Sequence, residues 1–278
     1  MTNASGSARE TLRKQEKDVS TMTEIKLSIR GVRKTFHTAR GDVEALAATD
    51  LNVAEGEFVT IVGPSGCGKS TLLMIASGLE DPTNGDIYVD GSRADKPGPD
   101  RSVVFQQFAL FPNMTVEQNI GFGLKVRGVQ KTGRVAPVRE QIANMKLGGF
   151  EKAYPSELSG GMQQRVAIAR ALVLEPPLLF MDEPFGALDA QTRTRMQDEM
   201  AKLRSRISST ILFVTHSVEE AVYLGDRIIV MSARPGRIAH EYRVDRNSPW
   251  KSLAIESAMS DPEFNSLREQ IWQHLHAN

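Results

Sequence analysis

The chain has 278 residues, 40% hydrophobic and 24% charged, the usage of a folded globular protein and not of a collagenous, wholly disordered or membrane-embedded one. Lys and Arg number 34 against 34 Asp and Glu, so no net field draws the molecule to nucleic acid. One cysteine, Cys67, excludes an intramolecular disulfide and a CxxC zinc site and suits a reducing, cytosolic setting. No run approaches the ~20 apolar residues that span a bilayer, so any membrane role calls for a partner chain.

Residues 1–22 mix both charges around no apolar centre and are expected to form a disordered extension, not a secretory signal. Met22, just before the first strand-like run, offers an alternative start. From Glu24 the runs EIKLSIRGV and DVEALAATDLNV predict two antiparallel strands, and EFVTIVG a buried strand ending in glycine. After Gly68, KSTLLMIASGL puts Leu72, Leu73, Ile75, Ala76 and Leu79 on one helical face. DIYVD (86–90) and RSVVFQ (101–106) predict further strands. Helical spacing of Ile120, Leu124, Val135, Val138, Ile142 and Met145 then marks a helical subdomain over about 108–165. From Gly160 the order helix, PLLFMD, helix, TILFVTH, helix, DRIIVM is the alternation of a parallel sheet. The expected class is α/β, in a main domain over 23–245. Residues 246–278 are expected to add a helical tail, with Phe264, Leu267, Ile271, Trp272 and Leu275 on its packing face.

Between a predicted strand and helix lies Gly63-Pro64-Ser65-Gly66-Cys67-Gly68-Lys69-Ser70, followed by Thr71, which matches the phosphate-binding loop GxxxxGK[ST]. Glycines let successive backbone N–H groups turn toward phosphate oxygens, and the helix N-terminus adds a favourable dipole. Lys69 can reach the terminal phosphates, and the Ser70 hydroxyl can ligate Mg²⁺. Beside that cation and the helix dipole, the Cys67 thiol is expected to lean toward thiolate, although its small size next to phosphate is reason enough for it. The run Leu178–Met181 ends in Asp182 and Glu183, at the sheet edge where open α/β folds bind ligands. Asp182 is placed to hold the Mg²⁺ shell and Glu183 to act as base on a water. His216, ending TILFVTH, stands equally between a core histidine and a functional one. Leu158-Ser159-Gly160-Gly161-Met162-Gln163-Gln164 precedes another helix, a second place where backbone donors meet an anion.

A phosphate loop, an LSGG run and a DE-ended strand in this order resemble an ABC transporter nucleotide-binding subunit, over about residues 24–240. The resemblance implies a P-loop ATPase core with an N-terminal antiparallel β subdomain and an inserted helical subdomain. It also implies a head-to-tail homodimer in which Ser159, Gly160 and Gly161 of one copy close over ATP held by the loop of the other. By motif, Phe36 resembles the aromatic stacked on adenine, Gln106 the glutamine that contacts the Mg²⁺ or water shell, Asp189 the D-loop aspartate and His216 the switch histidine. Met162 stands where the signature usually has Gln. The segments VFQQFALFPNMTVEQNI, AVYLGDRI and SARPGRI are similar to the nitrate, sulfonate and taurine group of bacterial importers. That group implies two membrane-spanning permease subunits, an extracytoplasmic solute-binding protein, a peripheral position on the cytoplasmic face of the inner membrane, and a small anion or zwitterion as cargo. Gln106 and the segment from Phe108 to about Lys146 would receive a permease helix. The short stretch past Asp245 disfavours the sugar importers, which carry a full regulatory β-barrel there. A soluble ABC ATPase uncoupled from transport is the alternative, weakened by the single cassette and the lack of a basic cluster for nucleic acid. A nucleotide kinase would have no use for the LSGG run.

Overall fold

The computed structural model describes residues 24–39 and 41–276; the extension expected over 1–22 lies outside the described residues. Strands β1 (Ile25–Thr38) and β2 (Gly41–Ala54) pair antiparallel, and β1 pairs on its other side with β4 (Asn84–Val89), which pairs with β5 (Ser92–Arg93). Leu27 lies opposite both Val53 and Val89, so alternate β1 residues reach the core from the middle of this sheet.

The larger sheet has the order β10-β9-β3-β8-β7-β6, formed by β3 (Phe58–Val62), β6 (Arg101–Val104), β7 (Leu178–Asp182), β8 (Thr210–Thr215), β9 (Arg227–Ser232) and β10 (Arg237–Arg243). Its pairings are parallel except that of β10 with β9. The α/β expectation, with an antiparallel sheet beside it, is therefore met. Residues of β3, β7, β8 and β9 are buried along their whole length, because each face has its own cover. Leu178, Phe180, Leu212 and Val214 pack with α1 (Lys69–Ser77) and the antiparallel sheet, whereas Leu179, Met181, Ile211 and Phe213 face the helices of the other layer.

Those helices are α2 (Val116–Val126), α3 (Lys131–Asn144), α4 (Gly160–Leu172), α5 (Ala190–Arg204) and α6 (Val218–Leu224), with α7 (Ile255–Ala258) and α8 (Pro262–His276) in the tail. Thr115 caps α2 in a reciprocal capping box with Gln118. In the tail Phe264 and Ile271 are fully buried, and Trp250 meets Phe264 edge-on at 5.2 Å.

Several details depart from the sequence pattern. Trp272 is half exposed and stacks on His276 one turn on, so it is not part of the packing face. Helix α1 stops at Ser77 because Gly78 takes a left-handed φ of 77° and caps it, which leaves Leu79 exposed. Val135 is exposed, two residues before Pro137 inside α3.

Register fixes where the chemistry collects. Val62 pairs with Thr215, Asp182 with Val214, and Val104 with Met181. The segments leaving β3, β6, β7 and β8 therefore emerge side by side at one edge of the sheet and carry the phosphate loop, Gln106, Glu183 and His216, whereas Phe36 lies on β1 and Ser159, Gly160 and Gly161 at the start of the helix Gly160–Leu172.

Candidate functional site

The loop after β3 turns through Gly66 and Gly68, at φ 76° and 89°, a conformation that an L side chain would strain. Gly63 is held to glycine by contact: a Cβ there would lie 2.7 Å from both Cys67 Sγ and the Met231 carbonyl. A Cβ on Gly68 would lie 2.9 Å from the Ala45 carbonyl of β2. The loop is thus wedged between the two sheets. Its lysine folds back into its mouth, where Lys69 Nζ donates to the carbonyls of Gly63 (2.8 Å) and Pro64 (3.1 Å). A buried cation ringed by backbone suits a polyphosphate anion.

Cys67 departs from the sequence reading. Its side chain is fully buried beneath the loop, and burial pushes the thiol up, with Lys69, 3.9 Å away, only partly opposing. The thiolate expectation is overturned because desolvation outweighs the nearby charge. Pro64, Ser65, Gly66 and Thr71 remain at the rim and first turn, as their place in the loop requires.

Ser70 Oγ donates to Asp182 Oδ1 at 2.8 Å, joining the start of α1 to the end of β7. Burial raises the Asp182 carboxyl above the ordinary range, and the Ser70 hydrogen bond opposes that. A hydroxyl and a carboxylate are the hard oxygen donors Mg²⁺ prefers, and two protein ligands suit an ion that shares its sphere with water and phosphate. Among the described residues no group of three or more His, Cys, Asp and Glu offers an all-protein metal cage.

One residue further, Glu183 takes φ 41°, unusual for a residue with a side chain, while its N–H donates to Val214 and its carbonyl accepts from Gly186. That bend sets its carboxylate between two partners: Gln106 Nε2 donates to Glu183 Oε2 at 3.4 Å, and His216 Nδ1 lies 3.3 Å from the same oxygen. Gly186 leaves room for them, since a Cβ there would sit 3.5 Å from Gln106 Nε2 and 3.3 Å from the Glu183 carbonyl. The structure therefore brings Gln106, Asp182, Glu183 and His216 together with Ser70 at one sheet edge. His216, even between two readings from sequence, is exposed and turned to Glu183, and is not a core residue.

The signature residues lie at the start of α4. Ser159 is its exposed N-cap, its Oγ accepting from Met162 N at 3.4 Å. Gly161 is demanded by contact, because a Cβ would fall 2.5 Å from Thr192 Cγ2 on α5, whereas a Cβ on Gly160 would meet Leu188 Cδ2 at an ordinary 4.0 Å. Asp189 caps α5 through Thr192 N, and that backbone donor holds its carboxyl below the usual value. Phe36 lies on β1 opposite Val43 with 37% of its surface exposed and the Lys34 ammonium 4.9 Å from its ring centre. A solvent-facing aromatic there is free to stack, which a core phenylalanine would not be.

Three residues escaped the sequence reading. Glu220, in the first turn of α6, is almost wholly buried in the cleft shared with Glu183, Arg193 and His216; it accepts from Gln197 Nε2 at 2.8 Å, and burial raises its pKa. Paired acids at a helix start look like ordinary dipole partners in a sequence, so only burial sets Glu220 apart from Glu219. Arg193 reaches the same cleft from α5, with Nε donating to the Phe185 carbonyl. Gly236, in the turn before β10, supports the loop from behind: a Cβ there would lie 2.1 Å from the Cys67 carbonyl and 2.9 Å from that of Ala45.

Comparison with known proteins agrees with this geometry. The family model described as ABC transporter matches residues 46–186. The nitrate import ATP-binding protein NrtD of Synechocystis is 48% identical over 249 residues, covering 88% of this chain and 93% of that one. The aliphatic sulfonates import ATP-binding protein SsuB of Bacillus cereus is 42% identical over 249 residues, covering 90% and 95%. Among solved structures, a dimeric post-hydrolysis ATP-binding cassette bound to ADP and Pi superimposes with a TM-score of 0.70 at 35% identity, covering 78% of this chain and 98% of that one.

Proposed function

The chain belongs to the ABC transporter family as an ATP-binding, ATP-hydrolysing subunit, and on that basis we propose that it powers import of a small anion or zwitterion of nitrate, sulfonate or taurine type through partner permeases. The observation that carries the catalytic part is the convergence of Gln106 and His216 on one oxygen of Glu183, beside the Ser70–Asp182 pair. The relatives named for nitrate and sulfonate import support the cargo class.

In this reading Lys69 pairs with the terminal phosphates, and backbone N–H groups between Ser65 and Thr71 bind the remaining oxygens. Phe36 offers its ring face to the adenine. Ser70 and Asp182 would hold Mg²⁺, assisted by Gln106, and the ion supplies charge neutralisation on the phosphate oxygens when bound. Glu183 accepts the proton of the attacking water, and the His216 ring keeps the carboxylate aimed and responds to the γ-phosphate. Ser159, Gly160 and Gly161 present the start of α4 to the nucleotide of a second copy, with Asp189 at the joint, so each site is complete only in a head-to-tail dimer.

Among the described residues no helix is long and apolar enough to cross a membrane. The proposed assembly accordingly has two permease subunits embedded beside the dimer, which lies on the cytoplasmic face, and a solute-binding protein outside. The stretch from Phe108 to Met114 is the proposed docking surface: Asn119, fully buried, ties it down through the carbonyls of Phe111 and Met114 and the Phe111 N–H.

The test of the catalytic assignment is Glu183→Gln. The amide keeps the shape but cannot take a proton, so the variant should bind ATP and lose turnover by a factor of about 10² or more, trapping a dimer on size exclusion with Mg-ATP. Hydrolysis near the native rate would refute Glu183 as base. For cargo, vesicles holding a permease that co-purifies with this chain should take up nitrate or a sulfonate only with ATP and this subunit present; ATP hydrolysis with no permease association would favour the uncoupled ATPase instead.

A further inference from the structure

One cavity lies away from the nucleotide edge. It has a volume of about 340 Å³ and opens at the opposite edge of the sheet, where β3 and β8 begin and α5 and α6 end. That is within the size range of small-ligand sites. Its walls combine an apolar part, Phe58, Ile207 and Leu224, with three basic residues and no acidic one: Arg204, Arg246 and Lys251. One carboxylate, Asp226, lies against them, and both arginines already share it, Arg204 on Oδ1 and Arg246 on Oδ2 at 2.8 Å. Lys251 spends its donors on the carbonyls of Val222, Tyr223 and Gly225 at 2.7–3.2 Å. Carbonyl dipoles orient an ammonium but cancel no net charge, so the cavity is cationic with an apolar floor.

We propose that this cavity is an effector site for a small organic anion, with a carboxylate, sulfonate or phosphate head on the two guanidiniums and the Lys251 amino group, and a short apolar body on Phe58, Ile207 and Leu224. A route to the catalytic edge runs through α6. Lys251 and Arg204, the latter through the Leu224 carbonyl at 3.0 Å, pin the C-terminal end of that helix, and His216 immediately precedes its N-cap Ser217. An anion drawing Lys251 and Arg204 toward itself competes with those carbonyls. The α6 end loosens, and the seven-residue helix transmits the shift to His216 and the buried Glu220.

The experiment uses the full chain with its nucleotide site filled by Mg-ADP and calorimetric titration with hexanesulfonate and hexanoate, with hexyltrimethylammonium as the opposite-charge control. Two variants probe the cavity without touching the nucleotide edge. Arg246→Gln removes a rim cation while Arg204 and the Phe58 N–H stay on Asp226, and Ser205→Phe fills the mouth from an exposed position whose hydroxyl donates to the Lys202 carbonyl of its own helix. The anions should bind with a Kd of about 1 mM or tighter, weakened about tenfold or more in both variants, with no binding of the cation. In parallel, hexanesulfonate should change the ATPase rate of the native chain about twofold or more and leave both variants unmoved. Absence of binding, equal binding by both variants, or equal binding of the cation would overturn the site. Binding with an unchanged ATPase rate would overturn its role as an effector site.

Discussion

Gly236→Ala is the sharpest test of how the phosphate loop is held. Gly236 donates its N–H to the Ala45 carbonyl at 3.1 Å and accepts from Ala47 N at 2.8 Å, which anchors the turn before β10 to β2. An added Cβ would lie 2.1 Å from the Cys67 carbonyl, and contacts below 3.0 Å are essentially never found, so that gap must open by about 0.9 Å. Both neighbours are backbone, so no side chain can swing away. The φ of Gly236 lies outside the left-handed region, and the effect is therefore purely steric. Overpacking of this kind costs about 1–3 kcal/mol of stability. The displaced atom belongs to the loop that carries Lys69 two residues on, and misplacing binding groups by about 1 Å costs up to about 10²-fold in rate. ATP affinity should fall about tenfold or more, together with kcat. Gly148→Ala serves as control, because a Cβ there meets nothing within 4 Å and its φ is ordinary. Steady-state hydrolysis across ATP concentrations, with thermal denaturation alongside, measures both quantities. A Gly236→Ala protein that melts earlier yet keeps native KM and kcat would show that the strain drains away from the loop, and would refute the argument.

Four further outcomes follow from the same geometry. Ser159→Arg should leave ATP binding intact and abolish hydrolysis by blocking closure; paired in mixed dimers with Lys69→Ala subunits it spoils one composite site only, whereas full activity of Ser159→Arg alone would mean monomeric catalysis. Cys67→Ala should hydrolyse ATP within about threefold of the native rate, because phosphoryl transfer needs positioning and not a thiol nucleophile; loss of activity with ATP binding retained would contradict this. Phe111→Asp should weaken permease association and transport while basal ATPase stays near native, and its purification as an aggregate would show instead that the ring, tilted against Phe122 with centroids 4.4 Å apart, serves the core. Burial first, and then Arg204, push Lys251 down to about 7, below its unfolded value of about 10.4, so the unfolded chain binds the extra proton between these values and stability contributed at Lys251 rises with pH across that window. The denaturation free energy of the native chain minus that of Lys251→Met should therefore climb from about pH 6 to pH 9, and a flat difference would refute the lowered pKa.

The candidate catalytic edge was legible because its residues lie in contiguous runs whose spacing carries a mechanism. A glycine loop leading into KS, an apolar strand ending in DE and a strand ending in TH each mark the same sheet edge once a parallel sheet is inferred. Register then does the rest, since pairing Val62 with Thr215 and Asp182 with Val214 aligns the strand ends. What the pattern could not give is how side chains compete within that edge. The sign of the Cys67 shift depends on whether burial or Lys69 prevails, and complete burial decides for the former. Leu79 and Trp272 satisfied a helical wheel and still lie outside the packed face, because a wheel knows neither where Gly78 ends the helix nor which side the tail turns to the sheet.

The opposite edge was illegible for a different reason. Arg204, Asp226, Arg246 and Lys251 come from the end of one helix, the start of a strand and two places in the tail, and none lies in a motif. In the sequence each is an ordinary surface charge, with Arg204 a natural partner for the negative end of α5. Only the fold gathers three of them against a single carboxylate, and only the tail, by burying Trp250 beside Lys251, walls the cavity from the side. The residues proposed to hold and hydrolyse ATP lie mostly on short loops at one sheet edge, since phosphoryl transfer tolerates little misplacement. A site that acts on α6 from its far end needs only to pull on carbonyls, and chain distance places no such demand on it.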